Sequence, residues 1–169
     1  MTKALADMFA YAQATCLDWE GEPAYAIYEM SAPDGLEIEF LSSIDVPVQG
    51  LALKTYGGVL EIEGVAAREM LLWCDTAPPK VPIKVQPEPG KKAILKIWNV
   101  WRGRVGDADV TQAWLGNAGM RIEQRGNQIF LRCSDGEGPV DFGNLKTRIT
   151  VNYGDGVDGI AVTGAITPK

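Results

Sequence analysis

Leu51-Ala52-Leu53-Lys54-Thr55-Tyr56-Gly57-Gly58-Val59-Leu60-Glu61-Ile62-Glu63-Gly64 is the stretch on which the fold class turns. Apolar and polar side chains alternate on both sides of Gly57-Gly58, and successive side chains of a strand point to opposite faces. Gly-Gly is a two-residue hairpin signal because its backbone tolerates positive φ. Closing the turn there pairs Leu53 with Ile62 and Thr55 with Leu60 on one face, and Lys54 with Glu61 on the other. Cross-strand pairs of this kind contribute up to about 1 kcal/mol each, and a one-residue slip would break both matches. The reading is an antiparallel hairpin, apolar on one side and charge-matched on the other.

A second hairpin follows the same logic. Met120 to Gln124 and Gln128 to Cys133 flank Arg125-Gly126-Asn127. Met120 and Ile122 share a face with Ile129, Leu131 and Cys133, while Arg121, Glu123 and Arg132 share the other with Phe130. Leu36, Ile38 and Phe40 alternate with Glu37 and Glu39, a strand wet on one side. Met70 to Cys74, Val81 to Val85, Ala93 to Trp101, Val110 to Leu115, Leu145 to Tyr153 and Ile160 to Ile166 also read as strands. Asp75-Thr76-Ala77-Pro78-Pro79 and Gln86-Pro87-Glu88-Pro89-Gly90 break the chain between them.

Thr2 to Leu17 breaks the two-residue period. Leu5, Met8, Phe9, Ala12 and Cys16 recur at three- and four-residue steps, so they share one helical face. Thr2 is the expected N-cap, and Gly21 and Pro23 mark the exit. The expected fold is therefore mostly β: an antiparallel β-sandwich, jelly-roll-like, or a small barrel, with one N-terminal α-helix. The chain is expected to form a single domain over 1–169, helical over about 2–17 and β-rich over 23–166.

Composition narrows the function. The 169 residues carry a net charge of −6 with no basic block, a poor match for nucleic acid or an anionic membrane surface. No apolar run approaches the roughly 20 residues that span a bilayer. Cys16, Cys74 and Cys133 lie far apart without a C-x-x-C pair, as expected of three buried thiols in a reducing, cytoplasmic setting. There is no histidine. That removes Ser-His-Asp and Cys-His nucleophile pairs, His metal sites and the commonest general base. No cofactor-binding signature occurs either. A carboxylate-dependent hydrolase survives, requiring two acids about 5 to 9.5 Å apart across a cleft.

The densest unusual chemistry lies in Lys96-Ile97-Trp98-Asn99-Val100-Trp101-Arg102-Gly103 and Ala113-Trp114-Leu115-Gly116-Asn117-Ala118-Gly119. Trp98, Asn99, Trp101, Arg102, Trp114 and Asn117 are the candidate ligand-binding residues: indoles offer flat stacking faces, and Asn and Arg add planar hydrogen-bonding groups. Against this stands core packing of the tryptophans. An unbroken strand also sends Asn99 and Trp101 to one face and Trp98 and Arg102 to the other, so both indoles serve one site only across a bulge. Asn117 is first of all a turn residue. Two acidic, Gly-rich loops, Ser134 to Asp141 and Gly154 to Gly159, hold Asp135, Glu137, Asp141, Asp155 and Asp158. These are weak calcium candidates, since neither loop has EF-hand spacing and Asp and Gly are the best turn formers.

Three functions remain. The first is a non-enzymatic binding or protein-interaction module for a protein or glycan ligand. The second is a structural or assembly subunit of a homo-oligomer or virion. The third is the carboxylate enzyme. The absence of catalytic signatures favours the binding module.

Overall fold

The computed structural model of the chain describes residues 3–153. Thr2, the Gly154 to Gly159 loop with Asp155 and Asp158, and the expected strand Ile160 to Ile166 lie outside them. The described residues form one helix, α1 (Leu5–Ala12), and fourteen strands in two sheets, an antiparallel sandwich.

The strands are β1 (Cys16–Trp19), β2 (Glu22–Tyr25), β3 (Tyr28–Ser31), β4 (Gly35–Ser43), β5 (Gln49–Tyr56), β6 (Gly58–Ile62) and β7 (Val65–Ala67). They continue as β8 (Glu69–Trp73), β9 (Lys80–Pro87), β10 (Ile94–Val105), β11 (Ala108–Gln112), β12 (Gly119–Arg125), β13 (Gln128–Ser134) and β14 (Leu145–Asn152). The larger sheet runs β1-β2-β12-β13-β14-β4-β9-β6-β7; the smaller runs β11-β10-β5-β8, with β3 sharing the β11 side of β10.

The Gly126-Asn127 hairpin has the expected register, with Met120 opposite Cys133, Ile122 opposite Leu131 and Arg125 opposite Gln128. The Gly57-Gly58 stretch does not form the expected hairpin. β5 pairs with β10 and β8 in the smaller sheet, whereas β6 pairs with β9 and β7 in the larger. The two glycines turn a corner from one sheet to the other. Lys54 therefore faces Lys96 and Glu69 rather than Glu61, which lies beside Lys84. Leu53 and Leu60 both enter the core, but from opposite sheets. The corner needs glycine: Gly57 has φ +76°, and a Cβ there would lie 2.8 Å from the Lys92 carbonyl oxygen. The Thr55 hydroxyl closes the corner by donating to the Gly58 carbonyl.

The helix is shorter than its apolar periodicity suggests. Gln13 adopts a left-handed conformation after Ala12, and Cys16–Trp19 is a strand. β1 and β2 form a hairpin around Glu20-Gly21, closed by the Gly21 amide donating to the Asp18 carboxylate. The thiols also depart from expectation, for Cys133 is buried but Cys16 and Cys74 are only half-buried.

The core lies between the sheets. Leu51, Leu53, Leu95 and Ile97 of the smaller sheet meet Ile38, Ile83, Leu131 and Ile149 of the larger, all essentially without solvent contact. A satellite cluster of Leu5, Phe9 and Ala24 seats α1 beside β2, against Trp19 and Phe142. Tyr28 and Tyr153 are buried with hydroxyls that have no hydrogen-bond partner among the described residues. Burial pushes both phenols up to about 12. It also raises the Cys133 thiol.

These groups set an alkaline limit. Their neutral forms are favoured in the folded state, so their contribution is intact below the ordinary phenol range. It is lost as pH rises from about 10 towards 12, where the unfolded chain releases protons first. The urea midpoint is expected to hold at neutral pH and fall steeply from about pH 10. Tyr28→Phe, which deletes a buried unpaired hydroxyl, is expected to flatten that fall without cost at neutral pH. A pH-independent midpoint would contradict the buried placement.

Candidate functional site

In a sandwich, the inner face of each strand is apolar and the outer face polar. The smaller sheet breaks this rule. The register places its outward side chains in rows across the strands. One row is Glu29, Lys96, Lys54 and Glu69. The next is Trp98, Ala52 and Leu71, followed by Val100, Gly50 and Trp73. Beyond them come Arg102, beside Thr111, and Arg104, beside Asp109. A central apolar band thus lies between two charged rims.

The rims are mixed in sign. Lys96 approaches Glu29 at 3.8 Å, Arg102 pairs with Asp75 at 3.0 Å, and Arg104 pairs with Asp109 at 3.2 Å. The Lys54 and Lys96 ammonium groups lie 5.2 and 4.9 Å from the Tyr56 ring centre. Arg102 also sits 4.6 Å over the Trp73 ring, so the same guanidinium holds an indole and an aspartate.

Trp114 caps the band. Its indole lies on that of Trp98, with ring centres 4.9 Å apart, and its Nε1 donates to the Ala26 carbonyl. Its φ is +56°, an uncommon conformation for a bulky residue that costs on the order of 1 kcal/mol. Trp114 nevertheless remains 46 % exposed, with Leu71 at 41 % and Tyr56 at 44 %. Beside Trp114 is a depression of about 320 Å³ whose walls include Tyr56, Leu71, Trp98 and Val100. On its other flank, α1 borders an apolar groove of about 350 Å³ that shares Ile27 and Trp114.

The six sequence candidates thus separate. Trp98, Arg102 and Trp114 come together on the outer face, where Trp98 is buried beneath Trp114, Arg102 is half-buried and Trp114 is exposed. No bulge brings Trp101 to them; it points inward with Asn99, and both are buried. The Trp101 Nε1 donates to Gln112 Oε1 and Glu137 Oε2, and the Asn99 amide donates to the Ser134 carbonyl. Asn117 is a structural cap: its Oδ1 accepts from the Leu5 amide and its Nδ2 donates to the Gly138 carbonyl. With the Gly116 carbonyl, which accepts from the Ala6 amide, it serves the first turn of α1, whose amides have no partner within the helix.

The carboxylates of the Ser134 to Asp141 loop are engaged separately. Asp135 accepts from the Gln49 side chain and the Glu137 amide, Glu137 from Trp101, and Asp141 from the Gly143 amide. Among the described residues, no group of three or more His, Cys, Asp or Glu is placed to hold a metal ion. A wider depression of about 530 Å³ on the larger sheet carries Glu37, Glu61, Glu63 and Lys84 without an aromatic platform.

Sequence reasoning missed Leu71, Trp73, Tyr56, Lys54 and Ala52 as neighbours of Trp98. The available signal was the near-continuous apolar run of β10, which marks a strand covered on both faces. No protein-family model matches the chain, and neither does a curated protein or a solved structure. No helix among the described residues is long and apolar enough to cross a membrane.

Proposed function

We propose that this chain is a non-enzymatic binding module that engages a protein partner through the outer face of its five-stranded sheet. The observation that carries this reading is that the sheet is apolar on both faces. One face is spent on the core. The other keeps Trp114 and Leu71 in contact with water between rims of paired charges, over a buried floor of Trp98, Ala52 and Val100, with exposed Tyr56 just outside the Lys54–Lys96 rim. Protein interfaces combine an apolar centre rich in Trp, Tyr and Arg with a polar, solvated rim, and this face has that composition. The positive φ of Trp114 supports the same reading, since backbone strain that keeps an indole exposed is hard to account for by packing alone. A glycan fits less well, because the depression offers aromatic platforms but Glu69 is the one carboxylate among its lining residues.

The experiment is a titration of dilute full-length protein with anilinonaphthalenesulfonate, a dye that brightens on apolar surface. Binding is expected, and the paired variants Leu71→Arg and Trp114→Ser are each expected to reduce it several-fold while circular dichroism stays unchanged. Leu71 is exposed on the sheet surface, where substitutions are generally tolerated to within about 0.5 kcal/mol. Trp114→Ser also gives up the stack on Trp98 and the hydrogen bond to Ala26, so unchanged circular dichroism is the check that the fold survives. Dye binding indifferent to both variants would remove the outer face as the docking surface.

A further inference from the structure

We infer that the partner on this face is a second copy of the same chain, laid sheet to sheet about a two-fold axis. This rests on the reading of the outer face as a docking surface and names its occupant. Three observations carry it. The first is charge. The chain as a whole carries −6, which opposes self-association, yet on this face Lys54, Lys96, Arg102 and Arg104 are matched by Glu29, Glu69, Asp75 and Asp109. A second copy meets no net like charge here, whereas a strongly acidic or basic partner would find no field to steer it.

The second observation is shape. A two-fold interface must be self-complementary, so the same patch has to supply both the projection and the recess that receives it. Trp114 stands proud on Trp98, and immediately beside it is the depression of about 320 Å³ floored by the centre of the sheet. That recess is large enough to accept the indole of the facing copy. Its walls include Trp98, Val100, Leu71 and Thr111, and the Trp73 ring covers the neighbouring outward position, Gly50. Gly50 cannot be larger without displacing Trp73, whose ring a Cβ would meet at 2.8 Å.

The third is area. The five strands, twelve residues long in β10, eight in β5, five each in β8 and β11 and four in β3, at ~3.3 Å per residue and ~4.8 Å apart, give a footprint of about 540 Å² per copy. Two copies then bury roughly 1,100 Å² in total, the size of a weak, transient interface. The expected assembly is a reversible dimer dissociating in the micromolar range rather than an obligate one.

The test is the solution mass of the full chain by light scattering and sedimentation, from sub-micromolar to several hundred micromolar. A monomer that becomes a dimer with rising concentration is expected, with dye binding per chain falling in parallel as the face is covered. Leu71→Arg places an unpaired charge in the apolar band and is expected to raise the dissociation constant at least about tenfold. Val65→Arg, at an exposed apolar position on β7 of the larger sheet, is expected to leave it unchanged. A full chain that stays monomeric throughout overturns the inference. So does a dimer that survives both Leu71→Arg and Trp114→Ser. A monomer whose dye binding still depends on Leu71 and Trp114 overturns only the second copy and leaves the docking face for a different protein. A monomer whose dye binding ignores both residues overturns the docking face as well.

Discussion

Trp101→Ala is expected to destabilise the fold by about 3–5 kcal/mol, the usual cost of deleting a large buried aromatic. Trp101 is 1 % exposed and among the largest fully buried side chains. Its surroundings leave little room to collapse onto the void. The Asp135-Gly136-Glu137 turn lies directly against its ring, so closely that a Cβ on Gly136 would fall 2.6 Å from Trp101 Cζ2. On the other side of that turn, Gly116 and Leu115 close the approach, leaving both glycines backed by carbonyl oxygens. The indole Nε1 adds hydrogen bonds to Gln112 at 3.0 Å and Glu137 at 3.1 Å. Both acceptors lie near solvent and can be rehydrated, so the apolar contacts carry most of the cost. Trp101→Phe is accordingly expected to lose only about 1–2 kcal/mol. Urea denaturation measures both variants. Folded Trp101→Phe should keep the dye binding of the outer face, because Trp101 lies on the opposite side of β10 from Trp98. A midpoint unchanged in Trp101→Ala would contradict its core placement.

The contrast between Trp101 and Trp98 marks how far local pattern reaches. Alternation along β10 correctly assigns the two indoles to opposite faces, because side-chain direction in a strand is a property of neighbouring residues. Which face is the core, and which strand lies beside it, depends on distant segments. The Met120 to Cys133 hairpin is legible because its two halves pair with each other across a two-residue turn. The Leu51 to Ile62 stretch carries an equally good pattern, yet its halves belong to different sheets. Alternation states that Leu53 and Leu60 face the core and is silent on whether they do so from one sheet or two.

The end of the helix shows a second limit. Cys16 continues the helical spacing of Leu5, Phe9 and Ala12, but β1 must extend to meet β2, and tertiary pairing overrides a short helical pattern. The Asp18 to Gly21 turn was the local signal for that hairpin. For Trp114 and Asn117 no local signal exists, since their partners, Ala26 and Leu5, lie 88 and 112 residues away. Outer-face membership of Leu71 and Trp73 likewise follows only once β8 is paired with β5.

Arg121→Met is expected to detach one corner of the molecule. Alternation assigns Arg121 to a charged outer face, but it is buried, and its guanidinium donates to backbone carbonyls. Nη1 donates to the carbonyls of Glu22 at 2.6 Å and Pro23 at 2.9 Å, and Nη2 donates to Trp19 at 2.8 Å. The guanidinium also lies 4.7 Å from the Phe142 ring centre and 5.7 Å from that of Trp19. The β1–β2 hairpin otherwise joins the larger sheet through one residue pair, Met120 with Tyr25. Methionine keeps the apolar stem but leaves three carbonyls without their donor. Hydrogen bonds to a charged group contribute about 1.5–3 kcal/mol each, and water recovers part of that at a surface hairpin, so a net loss of roughly 3 kcal/mol is expected. The loss should be local. Amide exchange is expected to accelerate about a hundredfold over β1 and β2, with the central strands little changed. Arg121→Lys keeps the charge but cannot fork to three carbonyls, and should recover only a minor part. The consequence reaches the docking face. The Ala26 amide bonds to the Thr15 carbonyl beside this hairpin, and the Ala26 carbonyl seats the Trp114 indole. Loosening the hairpin is therefore expected to weaken self-association without any change to the face itself. Unchanged exchange in Arg121→Met would show instead that the Leu5, Phe9 and Ala24 cluster holds the hairpin unaided.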